Sequence, residues 1–241
     1  MHIIQEKSAV LAWYLKEGFG LESKSLSDKV LTFEASIHYY HHKNAMENLS
    51  SLLPCSKLIW ILRNPLPRAV SEYLHQAVKA KSYPSFQKLI QDELRALKSC
   101  SKFEDSFQNG FQSRIFMCLA KHKLQKYLIS TAFYAYFIHA WLAAFPIEQH
   151  FFLDYELFRR NPEEAVQQIH KFLNISVEPV SDTVWKYNKA NTREGKAKVL
   201  REKIAITKET RKKLLTYISP QVRALYRTIG QDFAWSLSSL T

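Results

Sequence analysis

The fold of this chain is constrained most by one short apolar run between two charged residues, K-L-I-W-I-L-R at 57–63. An apolar run of this length, framed by charge, favours a strand buried in a sheet. An N-P-L-P turn follows at 64–67, and residues 68–81 then place their apolar side chains on one helical face. Proline near its start suits the first turn of a helix. The segment therefore predicts a strand, a turn and a helix in direct succession.

The rest of the chain continues this alternation of strands and helices. The predicted strands lie at 28–36 and 149–155, and helices are predicted at 85–97, 134–145 and 162–173. Two more helices are predicted near the C-terminus: one begins near residue 207, and one begins at Ser219-Pro220 and ends at Gly230. The helices are identified by apolar residues at helical spacing and by start and stop residues. The order predicts an α/β fold, with a central, mainly parallel sheet flanked by helices, as a single domain over 1–241.

The composition excludes several classes of protein. Of 241 residues, 46% are apolar and 13% aromatic, so the chain can bury a core and is not disordered. Only five residues are glycines, and no two fit the spacing of a glycine-rich phosphate loop. Three cysteines without a C-x-x-C pair exclude a disulfide-built scaffold. The net charge of +12 indicates either an anionic partner or simple solubility, and charge alone leaves both alternatives open.

The strand, turn and helix at 57–81 also predict an anion site. Arg63 ends the strand, and Arg68 and Ser71 lie in the first turns of the helix. A strand end that leads into a helix N-terminus gathers free backbone N–H groups and a positive dipole. Arg63 adds a planar bidentate donor and Ser71 a hydroxyl, so phosphate is the natural occupant. The alternative is that Arg63 pairs with a carboxylate of the core and that Ser71 caps nothing.

These residues match a known motif. Residues 57–76 resemble the 3′-phosphate-binding segment of sulfotransferases that use 3′-phosphoadenosine 5′-phosphosulfate (PAPS), a strand followed by R-[DN]-P-x-x-R-x-x-S and an aromatic residue. The resemblance is closest to the carbohydrate branch, of heparan and chondroitin type, and it covers nearly the whole chain. The matching residues are Arg63, Asn64, Pro65, Arg68, Ser71 and Tyr73, with further similar segments at 33–40, 134–142, 150–173 and 233–235.

The resemblance implies a P-loop-NTPase-like sulfotransferase fold and a PAPS-dependent enzyme without a metal. It implies in-line transfer of a sulfuryl group to a hydroxyl of a glycosaminoglycan-like acceptor. Arg63 and Ser71 would hold the 3′-phosphate of PAPS. His75 falls where heparan-type enzymes place a catalytic histidine near the sulfuryl group, and a surface histidine is the alternative. A basic loop at 191–201 would close over the nucleotide, or be only a solvated charged loop; its candidate donors are Lys196, Lys198 and Arg201.

The N-terminal part of the chain differs from the pattern of this family. The family begins with a strand and a K-x-G-[TS]-[TS] loop for the 5′-phosphosulfate, followed by a K-E-x-x-F-F segment, and nothing before residue 57 has either form. Ala35 stands where the family carries a lysine near the acceptor. We therefore expect an N-terminally incomplete sulfotransferase, first strand and loop missing, or a diverged non-catalytic domain that binds a nucleotide or an anionic polysaccharide. Nucleic-acid binding would rest on charge alone, and we expect no nucleic-acid partner.

The first residues lack the basic start and apolar run of a signal peptide, so we expect no targeting signal within this sequence. No stretch has the roughly 20 apolar residues that span a bilayer, and the apolar run at 131–145 is predicted to be a buried helix. The resemblance implies the Golgi lumen, where such enzymes sit on a single N-terminal membrane anchor, and we expect no such anchor within residues 1–241. In that compartment Cys100 and Cys118 are able to pair, which would leave Cys55 free.

Overall fold

The structure, a computed structural model, describes residues 32–36, 39–101, 107–176 and 204–237. The Cα positions divide the chain into two compact units, Met1–Ser56 and Lys57–Thr241. Whether 1–241 is a single domain stays a prediction.

The first unit contains one short turn and one helix in its described part. A 3₁₀ turn at Tyr39–His41 leads into helix α1, Lys43–Leu52. The strand predicted at 28–36 is not formed in residues 32–36, which belong to no strand, and residues 28–31 lie outside the described ranges.

The second unit alternates strands and helices, as predicted. Its elements are β1 (Leu58–Leu62), α2 (Pro65–Ala77), α3 (Phe86–Cys100), α4 (Arg114–Lys121), α5 (Tyr134–Ala144), β2 (His150–Asp154), α6 (Tyr155–Arg160), α7 (Pro162–Leu173) and α8 (Lys208–Ile229). The strands pair in parallel, with Leu58 opposite His150 and Leu62 opposite Asp154. The α/β class with a parallel sheet is therefore confirmed.

Polar side chains fix the beginnings of several of these helices. Ser85 accepts a hydrogen bond from the N–H of Lys88 at the start of α3, and Asn161 begins α7 just before a proline. Thr207 caps α8 through the N–H of Thr210. Each such cap satisfies an N–H that the helix leaves unpaired and stabilises the helix by about 0.5–2 kcal/mol.

The prediction of two separate C-terminal helices is wrong. Helix α8 runs from Lys208 to Ile229, and Pro220 lies inside it. An interior proline removes the bond to the carbonyl four residues earlier, here that of Thr216, and costs about 3 kcal/mol. Core packing on both sides of the proline offsets this cost, through buried Leu214, Ile218, Val222 and Leu225. Gly230 ends the helix with a φ of +67°, as predicted.

Two apolar clusters stabilise the second unit. The larger joins α2, α3, α4 and α8, and the smaller joins the strands to α5 and α8. Because α2 packs in the first cluster and Leu62 at the end of β1 packs in the second, the turn between them is held from both directions. That turn carries the predicted anion site.

The apolar run at 131–145 is a buried helix, as predicted, and α5 is its main part. Gly110 approaches this helix closely: it has a φ of +50°, and a Cβ there would lie 2.8 Å from the Cβ of Ala140. Only glycine fits that position without displacing α5. Within the described ranges, no helix has the length and apolarity that crossing a membrane requires.

A disulfide joins α3 to α4. Cys100, the last residue of α3, is bonded to Cys118, and their Cα atoms lie 5.8 Å apart. Cys55 is free and exposed. The pairing that the sequence left open is therefore formed.

Candidate nucleotide-binding and active site

The candidate site lies where the two strands end side by side. Because β1 and β2 are parallel and in register, Arg63 follows one strand at the same sheet edge at which Tyr155 follows the other. In open α/β sheets, ligands bind at this carboxyl edge. The fold therefore brings Arg63 to the expected location for a ligand.

Three contacts hold Arg63 at this edge. Its guanidinium carbon lies 4.5 Å from the centre of the Tyr155 ring, and its Nε lies 3.5 Å from Glu156 Oε1. Its backbone carbonyl accepts a hydrogen bond from the Tyr134 hydroxyl at 3.1 Å. Burial raises the pKa of the Tyr134 phenol, which keeps it protonated as a donor.

The guanidinium of Arg63 retains donors for a ligand. Its side chain is 24% exposed, and its buried Nε has no well-formed hydrogen bond, since Glu156 is only in ion-pair range. Among the described residues, no oxygen accepts a hydrogen bond from its Nη atoms. The alternative prediction was that Arg63 pairs with a carboxylate of the core. Arg63 does pair with a carboxylate, that of Glu156, but the pair lies at a partly exposed sheet edge and not in the core.

The prediction of free backbone N–H groups at this site is wrong. Pro65 and Pro67 have no N–H, and the Leu66 N–H donates to Asn64 Oδ1 at 3.1 Å. The Arg68 N–H donates to the Asn64 carbonyl. The first turn of α2 therefore has no backbone donor left, and an anion at this turn would be bound by side chains.

Arg68 is bonded to protein through one guanidinium nitrogen, Nη2, while its buried Nε has no hydrogen-bond partner among the described residues. Its Nη2 donates to the carbonyl of Leu128 and, at 2.8 Å, to the Thr131 hydroxyl. Arg68 therefore ties α2 to the segment that leads into α5.

Glu93 binds the same segment and was not predicted as a functional residue. It is fully buried, and its Oε2 accepts the N–H groups of Leu128 at 2.6 Å and Ile129 at 2.8 Å. Its Oε1 accepts the N–H and the hydroxyl of Ser130 at 2.8 and 2.7 Å. The pKa of the Glu93 carboxyl is raised, because the effect of burial is larger than that of these hydrogen bonds, which lower it. A carboxylate on the apolar face of α3 is the sequence signal that identifies such a residue.

Ser71 and His75 lie one turn apart on the exposed face of α2. In the described part of the chain, the Ser71 hydroxyl has no hydrogen-bond partner. His75 Nε2 lies 2.7 Å from Lys79 Nζ. Because an ammonium only donates, Nε2 accepts and the ring proton resides on Nδ1. This position fits the alternative of a surface histidine, and it also places His75 on the same face as Ser71.

The C-terminal segment is bonded to both strand ends. Trp235 Nε1 donates to Asp154 Oδ1 at 3.0 Å, and Asn64 Nδ2 donates to the Ser236 carbonyl at 2.7 Å. This segment therefore fixes the turn after β1 and the end of β2. The other predicted donors, Lys196, Lys198 and Arg201, lie outside the described residues.

Comparison with known proteins identifies the family. The profile of the sulfotransferase domain matches residues 2–217. The chain belongs to the sulfotransferase family. The R-N-P-x-x-R-x-x-S segment of this sulfotransferase chain, at 63–71, lies inside the matched range.

Two similar sequences are named as heparan sulfate enzymes. The chain is 25% identical to mouse heparan sulfate glucosamine 3-O-sulfotransferase 6, over 93% of the chain and 61% of that protein. It is 30% identical to human bifunctional heparan sulfate N-deacetylase/N-sulfotransferase 1, over 68% of the chain and 16% of that protein. The chain thus spans less than two thirds of the length of these relatives.

A solved structure supports the fold. The sulfotransferase from Alicyclobacillus acidocaldarius has a TM-score of 0.55 with 20% sequence identity, covering 83% of this chain and 65% of that one. This likeness confirms the P-loop-NTPase-like sulfotransferase fold.

Proposed function

We propose that this protein transfers a sulfuryl group from PAPS to a hydroxyl of a carbohydrate acceptor of the glycosaminoglycan type. The observation that carries the proposal is the family match over residues 2–217, which includes Arg63 with its uncommitted guanidinium donors. The relatives named for heparan sulfate support a polysaccharide acceptor. The net charge of +12 favours an anionic donor and an anionic acceptor.

Arg63 and Ser71 are the residues that we propose to bind the 3′-phosphate of PAPS. The Nη atoms of Arg63 match the bidentate geometry of a phosphate, and the Tyr155 ring holds the guanidinium plane. Ser71 supplies a hydroxyl with no competing partner in the described part of the chain. We propose Lys196, Lys198 and Arg201 as further donors to the nucleotide.

His75 is the proposed catalytic residue. Sulfuryl transfer, like phosphoryl transfer, depends on positioning and on neutralising the charge that develops on the leaving group. The Nδ1–H of His75 is a donor for that charge, and the Lys79 ammonium at 2.7 Å from Nε2 adds positive potential beside the ring.

We propose the Golgi lumen as the location and one domain over 1–241 as the organisation. The Cys100–Cys118 disulfide favours an oxidising compartment.

The experiment that tests this function measures transfer of radiolabelled sulfate from PAPS to heparan sulfate and to its unsulfated precursor. Wild-type chain is expected to label a glycan, and Arg63→Ala to label it much less. Arg160→Ala is the matched control, since among the described residues Arg160 donates to the backbone of its own helix alone. No labelling of any glycan by a chain that still binds 3′,5′-ADP would favour the non-catalytic alternative.

A further inference from the structure

Cys100, Cys118 and His122 form a cluster that sulfuryl transfer does not use. The two sulfurs and a ring nitrogen of His122 all lie within 4.8 Å of one another. Cys118 and His122 are four residues apart, so they share one face at the end of α4, and Cys100 ends α3. Two ligands at this helical spacing plus a third from a neighbouring helix form a typical zinc-ligand set.

A neighbouring serine fixes the chemical form of His122. The Ser99 hydroxyl donates its single proton to the Ala96 carbonyl at 2.8 Å. The contact of 2.9 Å between Ser99 Oγ and His122 Nε2 is therefore one in which Nε2–H donates. Neutral His122 then carries its lone pair on Nδ1, which leaves that nitrogen available to a metal. Metal-bound histidines commonly donate their other N–H to a fixed oxygen, as here.

The three residues of the cluster differ in exposure. Cys100 is buried, Cys118 is half-buried and His122 is exposed. His122 is therefore the member that solvent reaches most readily, and three protein ligands leave the fourth position of a tetrahedral ion to water.

We propose that Cys100, Cys118 and His122 are a redox-gated zinc site. In the disulfide neither sulfur carries the thiolate charge that zinc requires, so the oxidised protein does not bind the metal. A dithiol reductant gives two electrons and two protons to the disulfide, forming two thiols and becoming a disulfide itself. The two thiols then bind Zn²⁺ as thiolates and release two protons, and His122 supplies the third ligand.

Cobalt(II) is the probe for this site, because its bonds to thiolates give a charge-transfer absorption band. The disulfide is first reduced with a phosphine, which takes up the oxygen atom of a water molecule and becomes the phosphine oxide. The reduced chain is then titrated with Co²⁺ in the absence of dioxygen. One Co²⁺ per chain is expected to produce the band, Zn²⁺ to abolish it, and oxidised chain to show neither effect. Absence of the band from reduced chain would overturn the proposal.

Variants assign the ligands. Ser99→Ala is expected to weaken Co²⁺ binding roughly 10–100-fold, and His122→Ala to weaken it more. Cys118→Ser is expected to remove the two-thiolate band, while Cys55→Ser, at the free cysteine, is expected to change nothing. His122 is exposed, so its variant remains informative even if Cys118→Ser does not fold. Equal affinity of His122→Ala and wild type, or loss of the band in Cys55→Ser, would contradict the assignment.

Discussion

Arg63 Nε lies 3.5 Å from Glu156 Oε1, and both side chains are about a quarter exposed. An ion pair this long and this exposed contributes about 0–1 kcal/mol. Glu156 therefore orients Arg63 without saturating it, and a bound phosphate would compete with Glu156 for the same guanidinium.

This competition predicts the effect of Glu156→Gln. Removing the carboxylate charge is expected to tighten binding of 3′,5′-ADP by up to about 1 kcal/mol, roughly fivefold. Calorimetric titration of both proteins checks this, with Glu148→Gln, an acid in the turn before β2, as the control. Weaker binding by Glu156→Gln would show that the carboxylate helps the ligand rather than competing with it.

His75→Ala tests the proposed catalytic histidine. The Kd for 3′,5′-ADP is expected to stay unchanged, because the histidine is assigned to the transition state and not to the nucleotide. The rate of sulfate transfer is expected to fall about 100-fold, the usual contribution of a positioned proton donor. Gln76→Ala is the control, since Gln76 bonds to Glu72 on the same helix. An unchanged rate in His75→Ala would return His75 to the role of a surface residue.

Glu93→Ala tests the buried carboxylate. The substitution leaves three buried N–H groups and a buried hydroxyl without their acceptor, at about 1–3 kcal/mol each. We expect the free energy of unfolding in urea to fall by at least about 3 kcal/mol. Asp92→Ala, at the neighbouring acid that pairs with the exposed Lys88 and Arg95, is expected to change it by about 0.5 kcal/mol or less. A small change in Glu93→Ala would mean that the segment at 128–130 finds other acceptors.

His150 predicts a pH dependence of stability. Burial lowers the pKa of His150 below its usual 6.5. The hydrogen bond to the Phe145 carbonyl raises the pKa, but this effect is smaller than that of burial. Its Nδ1 accepts the indole N–H of Trp60 at 3.0 Å, which requires the neutral ring. Below pH 6.5 the unfolded chain takes up a proton that the folded chain does not, so stability decreases as the pH falls.

Urea unfolding between pH 7.5 and 5, followed by tryptophan fluorescence, measures this effect. His150→Phe keeps an aromatic ring without a titrating group. The variant is expected to lose less stability than wild type over that pH range. Equal losses in both proteins would assign the pH dependence to other histidines.

The local pattern around Arg63 predicted its position well, because a strand, a proline turn and a helix are encoded by adjacent residues. The partners of Arg63 were not predictable, since Tyr155 and Glu156 reach it only through strand pairing across about 90 residues of sequence. The long-range contacts of Arg68 with Leu128 and Thr131 were likewise not predictable from the spacing of the motif. The missing backbone donors, in contrast, were readable from Pro65 and Pro67. Pro220 led to the wrong prediction of a helix start, because core packing outweighs the free-energy cost of a proline inside α8.

The most direct test of this account is the affinity of 3′,5′-ADP for wild type, Arg63→Ala and Arg160→Ala. Loss of the bidentate charged contact is expected to weaken binding to Arg63→Ala by about 1.5–3 kcal/mol, a factor of roughly 10–150 in Kd. Arg160→Ala is expected to bind as wild type does. Equal affinity of wild type and Arg63→Ala would contradict the assignment of Arg63 to the 3′-phosphate, and with it the proposed site.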